Sequence, residues 1–249
     1  MSRLAPHTPH LTFLHGWGLH GGIWSAVLDT LGGLAVAPDL PGYGVVPAVA
    51  PYTADALADD LAARLPGHRV VCGWSLGGMV ALAWAARHPE QVDGLILVGT
   101  SPVFVRRPDW PHAMAPEMLD GFAHGLAGDW RATLLRFLSL QARGGDEARA
   151  VIARLREVVF ARGEPSAAIL AAGLELLATV DLRFLAGQVR CPTLVLHGRR
   201  DTLCLPAAAE WLAGAIPDAR LAMHDHAAHA PFLSHPDWFL AQLKGFVDG

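Results

Sequence analysis

Arg69-Val70-Val71-Cys72-Gly73-Trp74-Ser75-Leu76-Gly77-Gly78 is the stretch that decides the fold. Its opening, Arg69–Cys72, is a short apolar, β-branched run, the pattern of a buried strand, and Gly77–Arg87 beyond it reads as an apolar helix. Between them Gly73-Trp74-Ser75-Leu76-Gly77 matches G-x-S-x-G. A five-residue string says little alone. With a strand before it and a helix after it, however, small residues let the two elements approach closely across a tight, strained turn. That turn exposes a serine hydroxyl at the carboxyl edge of a sheet and aims a helix N-terminus at developing negative charge. The plainer reading is a glycine-rich turn whose serine caps the helix. The strand–turn–helix context favours a nucleophile.

Outward from this turn, apolar runs bounded by Gly and Pro alternate with helical patterns, as in a largely parallel α/β sheet. Candidate strands are Leu11–Leu14, Leu34–Pro38, Arg69–Cys72, Gly94–Val98, Thr193–His197 and Ala219–His224; candidate helices include Ala54–Leu65, Gly77–Arg87, Ala207–Ala213 and Asp237–Val247. The alternation breaks between Ser101 and about Leu185, where four helical patterns follow without a strand: Pro116–Leu126, Asp129–Ala142, Glu147–Ala161 and Ser166–Thr179. The expectation is an α/β fold with a mainly parallel central sheet, helices on both faces and an inserted four-helix cap over the strand ends, where ligands bind. Residues 1–101 and 186–249 form the core in this reading, and 102–185 the cap.

A serine hydroxyl needs a base, and the base an orienting carboxylate; in this architecture they follow as acid, then histidine, each past a later strand. Asp201 lies just beyond the strand Thr193–His197, whereas Asp181 precedes that strand and Asp225 comes too late. Of thirteen histidines, His224, His226, His229 and His235 stand at or after the last strand. His229, in the small-residue loop Ala227-Ala228-His229-Ala230-Pro231-Phe232, is the expected base, and His235 opens the final helix. A metal site from His224, His226 and His229 lacks both helix spacing and a carboxylate set, so no metal or other cofactor is expected. The oxyanion donors should be the backbone N–H of Leu76 and that of Trp17 in His15-Gly16-Trp17-Gly18-Leu19. Trp17 also reads as an apolar wall.

Composition bounds the rest. The chain has 249 residues, 52% of them hydrophobic and 17% charged, which excludes a disordered chain and is enough to build one large core without staples. A net charge of −4 gives no global case for nucleic-acid binding. Cys72, Cys191 and Cys204 are widely spaced, Met1–Pro6 lacks an apolar signal run, and the glycine-interrupted stretch Val70–Ala86 is shorter than a membrane helix needs. The expectation is a soluble, cytoplasmic monomer, away from membranes.

At these residues the chain resembles the α/β-hydrolases over nearly its whole length. Leu14-His15-Gly16-Trp17-Gly18-Leu19, Gly73–Gly78 and Ala227–Phe232 resemble one branch, the biotin-pathway esterases that demethylate pimeloyl-[acyl-carrier protein] methyl ester. So do Arg136-Phe137-Leu138-Ser139-Leu140-Gln141, Gly173-Leu174-Glu175 and Thr179-Val180-Asp181-Leu182-Arg183. The resemblance implies a pocket lined by Trp17, Ser75, Leu76, Phe137, Leu138, Ser139, Leu140, Gln141 and His229. It also implies an acyl-carrier-protein-linked substrate docked by cap arginines. Arg136 and Arg149 keep family positions, while Arg131 and Arg154 are shifted by a residue. After Asp39-Leu40-Pro41-Gly42-Tyr43-Gly44 the chain departs from many relatives with Val45-Val46-Pro47. Residues 131–162 carry seven arginines against three carboxylates, a net +4, leaving −8 elsewhere. A basic cap on an acidic body suits an acidic partner, though a solvated helix face would carry arginines too. Competing readings are a general short-chain carboxylesterase or thioesterase, and a non-catalytic ligand receptor on the same fold. A haloalkane dehalogenase would carry aspartate where Ser75 stands.

Overall fold

Six strands pair as one all-parallel sheet in the order β2-β1-β3-β4-β5-β6: β1 (His10–Leu14), β2 (Ala35–Val36), β3 (Arg69–Trp74), β4 (Val92–Val98), β5 (Thr193–Gly198) and β6 (Ala219–His224). The structure, a computed structural model, describes residues 10–33 and 35–249. The Met1–Pro6 stretch and Leu34, where the second strand was expected to start, lie outside the described residues. That strand is shorter than the expected run to Pro38, since a proline has no N–H to give the ladder. β3 and β5 are buried along their full length, as parallel strands covered on both faces should be.

Alternation along β1 shows the two covering layers. Thr12 meets Arg69, whose guanidinium lies over Trp84, while the next residue, Phe13, packs on Trp24, which borders Phe239. One face is therefore covered by α3 (Leu76–Arg87), with α2 (Ala54–Arg64) packed beside it, and the other by the 3₁₀ turn Gly21–Trp24, which leads into α1 (Ser25–Leu31), and by α10 (Pro236–Val247).

The sheet starts at β1, adds β2 on one side and then crosses to β3 on the other. Ligands bind beside such a switch point, at the carboxyl ends of the strands. The register levels those ends: Leu14 faces Gly73, Trp74 faces Val98, and Val98 faces Leu196. The segments after β1, β3, β4 and β5 thus emerge side by side.

Between β4 and β5 the chain forms α4 (Pro116–Leu140), α5 (Ala148–Val158), α6 (Ala167–Thr179) and the single turn α7 (Arg183–Ala186). The two helices expected from Pro116 to Ala142 are the two halves of α4, which meet at a kink. Asp129 leaves helical geometry (φ −140°, ψ 92°) and its carboxylate accepts from Ala132 N at 3.0 Å, capping the second half. This helical layer lies on the carboxyl-edge loops. Phe137 meets Trp17 edge-on at 4.8 Å, and His20 Nε2 bonds the Val158 carbonyl at 2.8 Å. α8 (Pro206–Ala215) packs on β5 and β6, and α9 (Pro231–Ser234) precedes α10.

Candidate active site

Ser75 sits at φ 56°, ψ −119°, the one non-glycine residue with positive φ among the described residues. Such a conformation costs on the order of 1–3 kcal/mol and persists only where its surroundings enforce it. Here Ser75 N donates to Val98 O (3.0 Å), Thr100 Oγ1 donates to Ser75 O (2.7 Å), and Trp74 Nε1 donates to the His229 carbonyl (2.9 Å). The glycines are dictated by contact: a Cβ on Gly73 would lie 2.2 Å from Gly77 O, and one on Gly77 2.5 Å from Leu14 O. The helix starts immediately at Leu76, and the serine makes no side-chain cap, contrary to the plainer reading of the turn.

Asp201 and His229, expected from chain order, are in contact. His229 Nδ1 donates to Asp201 Oδ2 at 2.8 Å, with both side chains buried. Asp201 Oδ1 accepts from the amides of Leu203 (2.8 Å) and Cys204 (3.0 Å), so the carboxylate is aimed by its own loop. His229 N is tied to the Gln141 carbonyl at 3.1 Å, and its Nε2 is buried without a partner among the described residues. An imidazole held at Nδ1 by a carboxylate and free at Nε2 can take a proton from a nearby hydroxyl.

On the β1 side, His15 Nδ1 donates to Gly16 O (2.9 Å) and Nε2 accepts from Leu40 N (3.0 Å), the pattern of a neutral ring. Burial pushes its pKa down to about 4. Gly18 N donates to the Tyr43 hydroxyl (3.1 Å), while Trp17 N and Leu76 N, the latter first in its helix, have no acceptor among the described residues. Two such amides can hold an oxyanion. The Trp17 indole donates to Leu170 O at 2.9 Å, so the residue is also a wall under α6.

Sequence reasoning placed Ser75 at an exposed turn, but it is only 6% exposed, because the helical layer closes over the strand ends. Of the expected pocket, Phe137 touches Trp17 and Gln141 touches His229; Leu138 is buried, Leu140 half-buried, and Ser139 Oγ turns back to Leu135 O. A groove of about 550 Å³ walled by Tyr52, Leu176, Val180 and Phe184 includes none of these residues. Residues the sequence did not flag also serve the site: Thr100, Tyr43, and His197, which faces Asp201.

The rejected candidates lie elsewhere. Asp181 pairs with Arg183 (2.6 Å) and Arg107 (3.2 Å), and Asp225 with Arg199 (2.8 Å). His224 packs at a tilt against His235 (3.8 Å between ring centroids) and His226 pairs with Asp146 (3.1 Å), so both rings are engaged by partners other than the His229–Asp201 pair. His235 stands at the N-cap of α10, but its side chain bonds Ser234 instead of capping. Among the arginines, Arg131 pairs with Glu164, and Arg154 with Glu157 and Ser25. Arg136 is exposed over the Phe122 ring, and Arg149 is exposed with no ion pair among the described residues.

Chemistry that needs an activated serine, run at the carboxyl edge of a parallel sheet, is the work of serine hydrolases of the α/β-hydrolase class. A family model described as "alpha/beta hydrolase fold" matches residues 9–236, and the chain belongs to that family. Its relatives are more particular. It is 49% identical over 248 residues to a pimeloyl-[acyl-carrier protein] methyl ester esterase of Aromatoleum aromaticum, covering 97% of this chain and 99% of that one. It is 46% identical over 242 residues to the protein of the same name from Chromobacterium violaceum, covering 96% and 94%. Among solved structures, a thermophilic esterase from Thermogutta terrifontis superposes with a TM-score of 0.78 at 27% identity over 96% of this chain and 89% of that one. An esterase from Exiguobacterium antarcticum shares the fold at a TM-score of 0.83 and 24% identity, over 96% and 91%.

Proposed function

We propose that this chain is a serine carboxylesterase that hydrolyses the methyl ester of pimeloyl-[acyl-carrier protein], releasing methanol and leaving the free pimeloyl carboxylate on its carrier, a step of biotin biosynthesis. The observation that carries the reading is the buried pair His229–Asp201, with His229 Nε2 free, beside a serine held at positive φ. Full-length identity to esterases of that name supplies the substrate.

Ser75 Oγ attacks the ester carbonyl while His229 Nε2 takes its proton. The tetrahedral oxyanion is held by the amides of Trp17 and Leu76. Collapse breaks the C–OCH3 bond, and His229 returns the proton to the departing methoxide, giving methanol and an acyl-Ser75. Water, deprotonated by His229, then attacks the acyl carbonyl; the C–Oγ bond breaks, His229 returns the proton to Ser75 Oγ, and the carboxylate is released. The chain needs no metal or cofactor for any step. Residues 102–185 act as a lid that keeps bulk water from this sequence. The three cysteines are buried free thiols, which suits a reducing cytoplasm.

In this reading the acidic carrier meets the exposed Arg136 and Arg149, neither of which has an ion pair among the described residues, while Arg131 and Arg154 stay with Glu164 and Glu157. The test compares kcat/KM for carrier-linked and free pimelate methyl esters in wild type and in Arg136→Glu/Arg149→Glu. The double reversal should lower kcat/KM for the carrier-linked ester by about tenfold at low salt and much less near 1 M, where the Debye length is only ~3 Å. The free ester should be almost unaffected. If the ratio of the two substrates does not change, the arginines do not recognise the carrier; if wild type does not prefer the carrier-linked ester, the protein is a general esterase.

A further inference from the structure

His197, the fifth residue of β5, is fully buried and stands four residues before the acid. Its Nε2 lies 2.8 Å from the Cys204 carbonyl and 3.3 Å from Asp201 Oδ2. Both neighbours are acceptors, so this nitrogen carries the proton, and Nδ1 is left buried without a partner among the described residues. A phenylalanine or leucine would fill the space without an orphaned polar atom, whose burial is costly. What the imidazole adds is the grip on the loop. Cys204 is held at both ends of its peptide plane neighbourhood, its N–H by Asp201 Oδ1 and its carbonyl by His197.

We propose that His197 is a positioning residue for the acid of the triad: its Nε2–H pins the Cys204 carbonyl, faces Asp201 Oδ2, and so fixes the aim of the carboxylate at His229. The inference rests on the esterase reading above. Without His197 the 201–204 loop loses one tie and the carboxylate one facing donor. Its charge is then left more fully to His229, so protonated His229 is favoured, and a higher pH is needed to free the base.

The test uses three variants and a small free ester. His197→Phe keeps a ring without a donor, His197→Gln returns an N–H near the Nε2 position, and His197→Asn offers one only near Nδ1. For folded His197→Phe, kcat should fall about 10–100-fold with KM changed by no more than about twofold. The acid limb of kcat/KM should move up by roughly half a pH unit. Gln should recover most of the rate and Asn should not, a contrast that remains readable if Phe fails to fold. Because His197 acts through Asp201, adding His197→Phe to Asp201→Asn should cost little more than Asp201→Asn alone. A folded His197→Phe with wild-type kcat and limb, or Gln and Asn equally active, would overturn the proposal. Full activity of Asp201→Asn would instead overturn the triad itself, so the two failures are told apart.

Discussion

Ser75 buries one hydroxymethyl group, so in the proposed function what it contributes is a reacting oxygen, at the expense of a strained backbone. The two can be separated by substitution. Ser75→Ala should leave the melting temperature near that of wild type while kcat falls on the order of 10⁴–10⁶-fold. Ser75→Gly should be equally inactive yet more stable by about 1 kcal/mol, because glycine reaches φ 56° without steric cost. Urea unfolding of the two variants, read beside ester turnover, checks both halves. Residual turnover near wild type would remove Ser75 as nucleophile, and a Gly variant no more stable than Ala would mean that the turn stores no strain. Residues that carry a motif were the most legible: spacing and chain order single out Ser75, Asp201 and His229 as candidates, and the structure puts Ser75 in a strained turn and Asp201 against His229. His197 was not, since nothing local marks a strand histidine as facing a carboxylate four residues on.

At the scale of elements, α6 and the loop after β1 are locked by a missing side chain. A Cβ on Gly173 would stand 2.6 Å from Trp17 Cδ1 and 2.9 Å from its Nε1. The indole cannot yield, being bonded to Leu170 O and packed against Phe137. Gly173→Ala should therefore push α6 away or tilt Trp17, whose amide is the proposed oxyanion donor. The better helix propensity of alanine is worth about 1 kcal/mol, against a typical overpacking cost of about 1–3 kcal/mol. Net stability should change little, while kcat/KM falls about tenfold or more. Unaltered kcat/KM in this variant would mean that the helical layer does not set the Trp17 position. Longer elements were readable because a pattern needs length: the five strands of five to seven residues and the two helices that meet near Asp129 were expected within a few residues, whereas β2 kept only two residues of its expected run. The 3₁₀ turn Gly21–Trp24, α7 and α9 have four residues each, too few for a pattern. The burial of Ser75 and the pairing of Arg131 with Glu164 depend on packing between distant segments, which no local pattern encodes.

The whole molecule hides several histidines inside an α/β core, and this sets how it meets acid. Burial holds His15 down to about 4 and lowers His20, His197 and His235 as well. In the unfolded chain each titrates near 6.5, so between about pH 6.5 and 4 the unfolded state binds more protons than the native one. Stability therefore rises with pH across that window and is lost on acidification, the reverse of what a histidine paired to a carboxylate with a raised pKa would give. His15 alone accounts for about 3 kcal/mol over the window. That is a large share of the ~5–15 kcal/mol that holds a typical domain together. The carboxylates lowered by arginines, Asp59, Asp109 and Asp181, act in the same direction only below their unfolded pKa of about 4, and with side chains partly or largely open to solvent they matter less. Urea midpoints measured from pH 7.5 down to 4.5 should thus fall steadily, with the steepest loss beginning near 6.5 and well above the carboxylate range. A midpoint that holds flat to pH 5 would show that His15 is charged, or exposed to water, in the native state. The neutral ring that ties Gly16 to Leu40, and with it the backbone leading to the Trp17 amide, would then have to be abandoned.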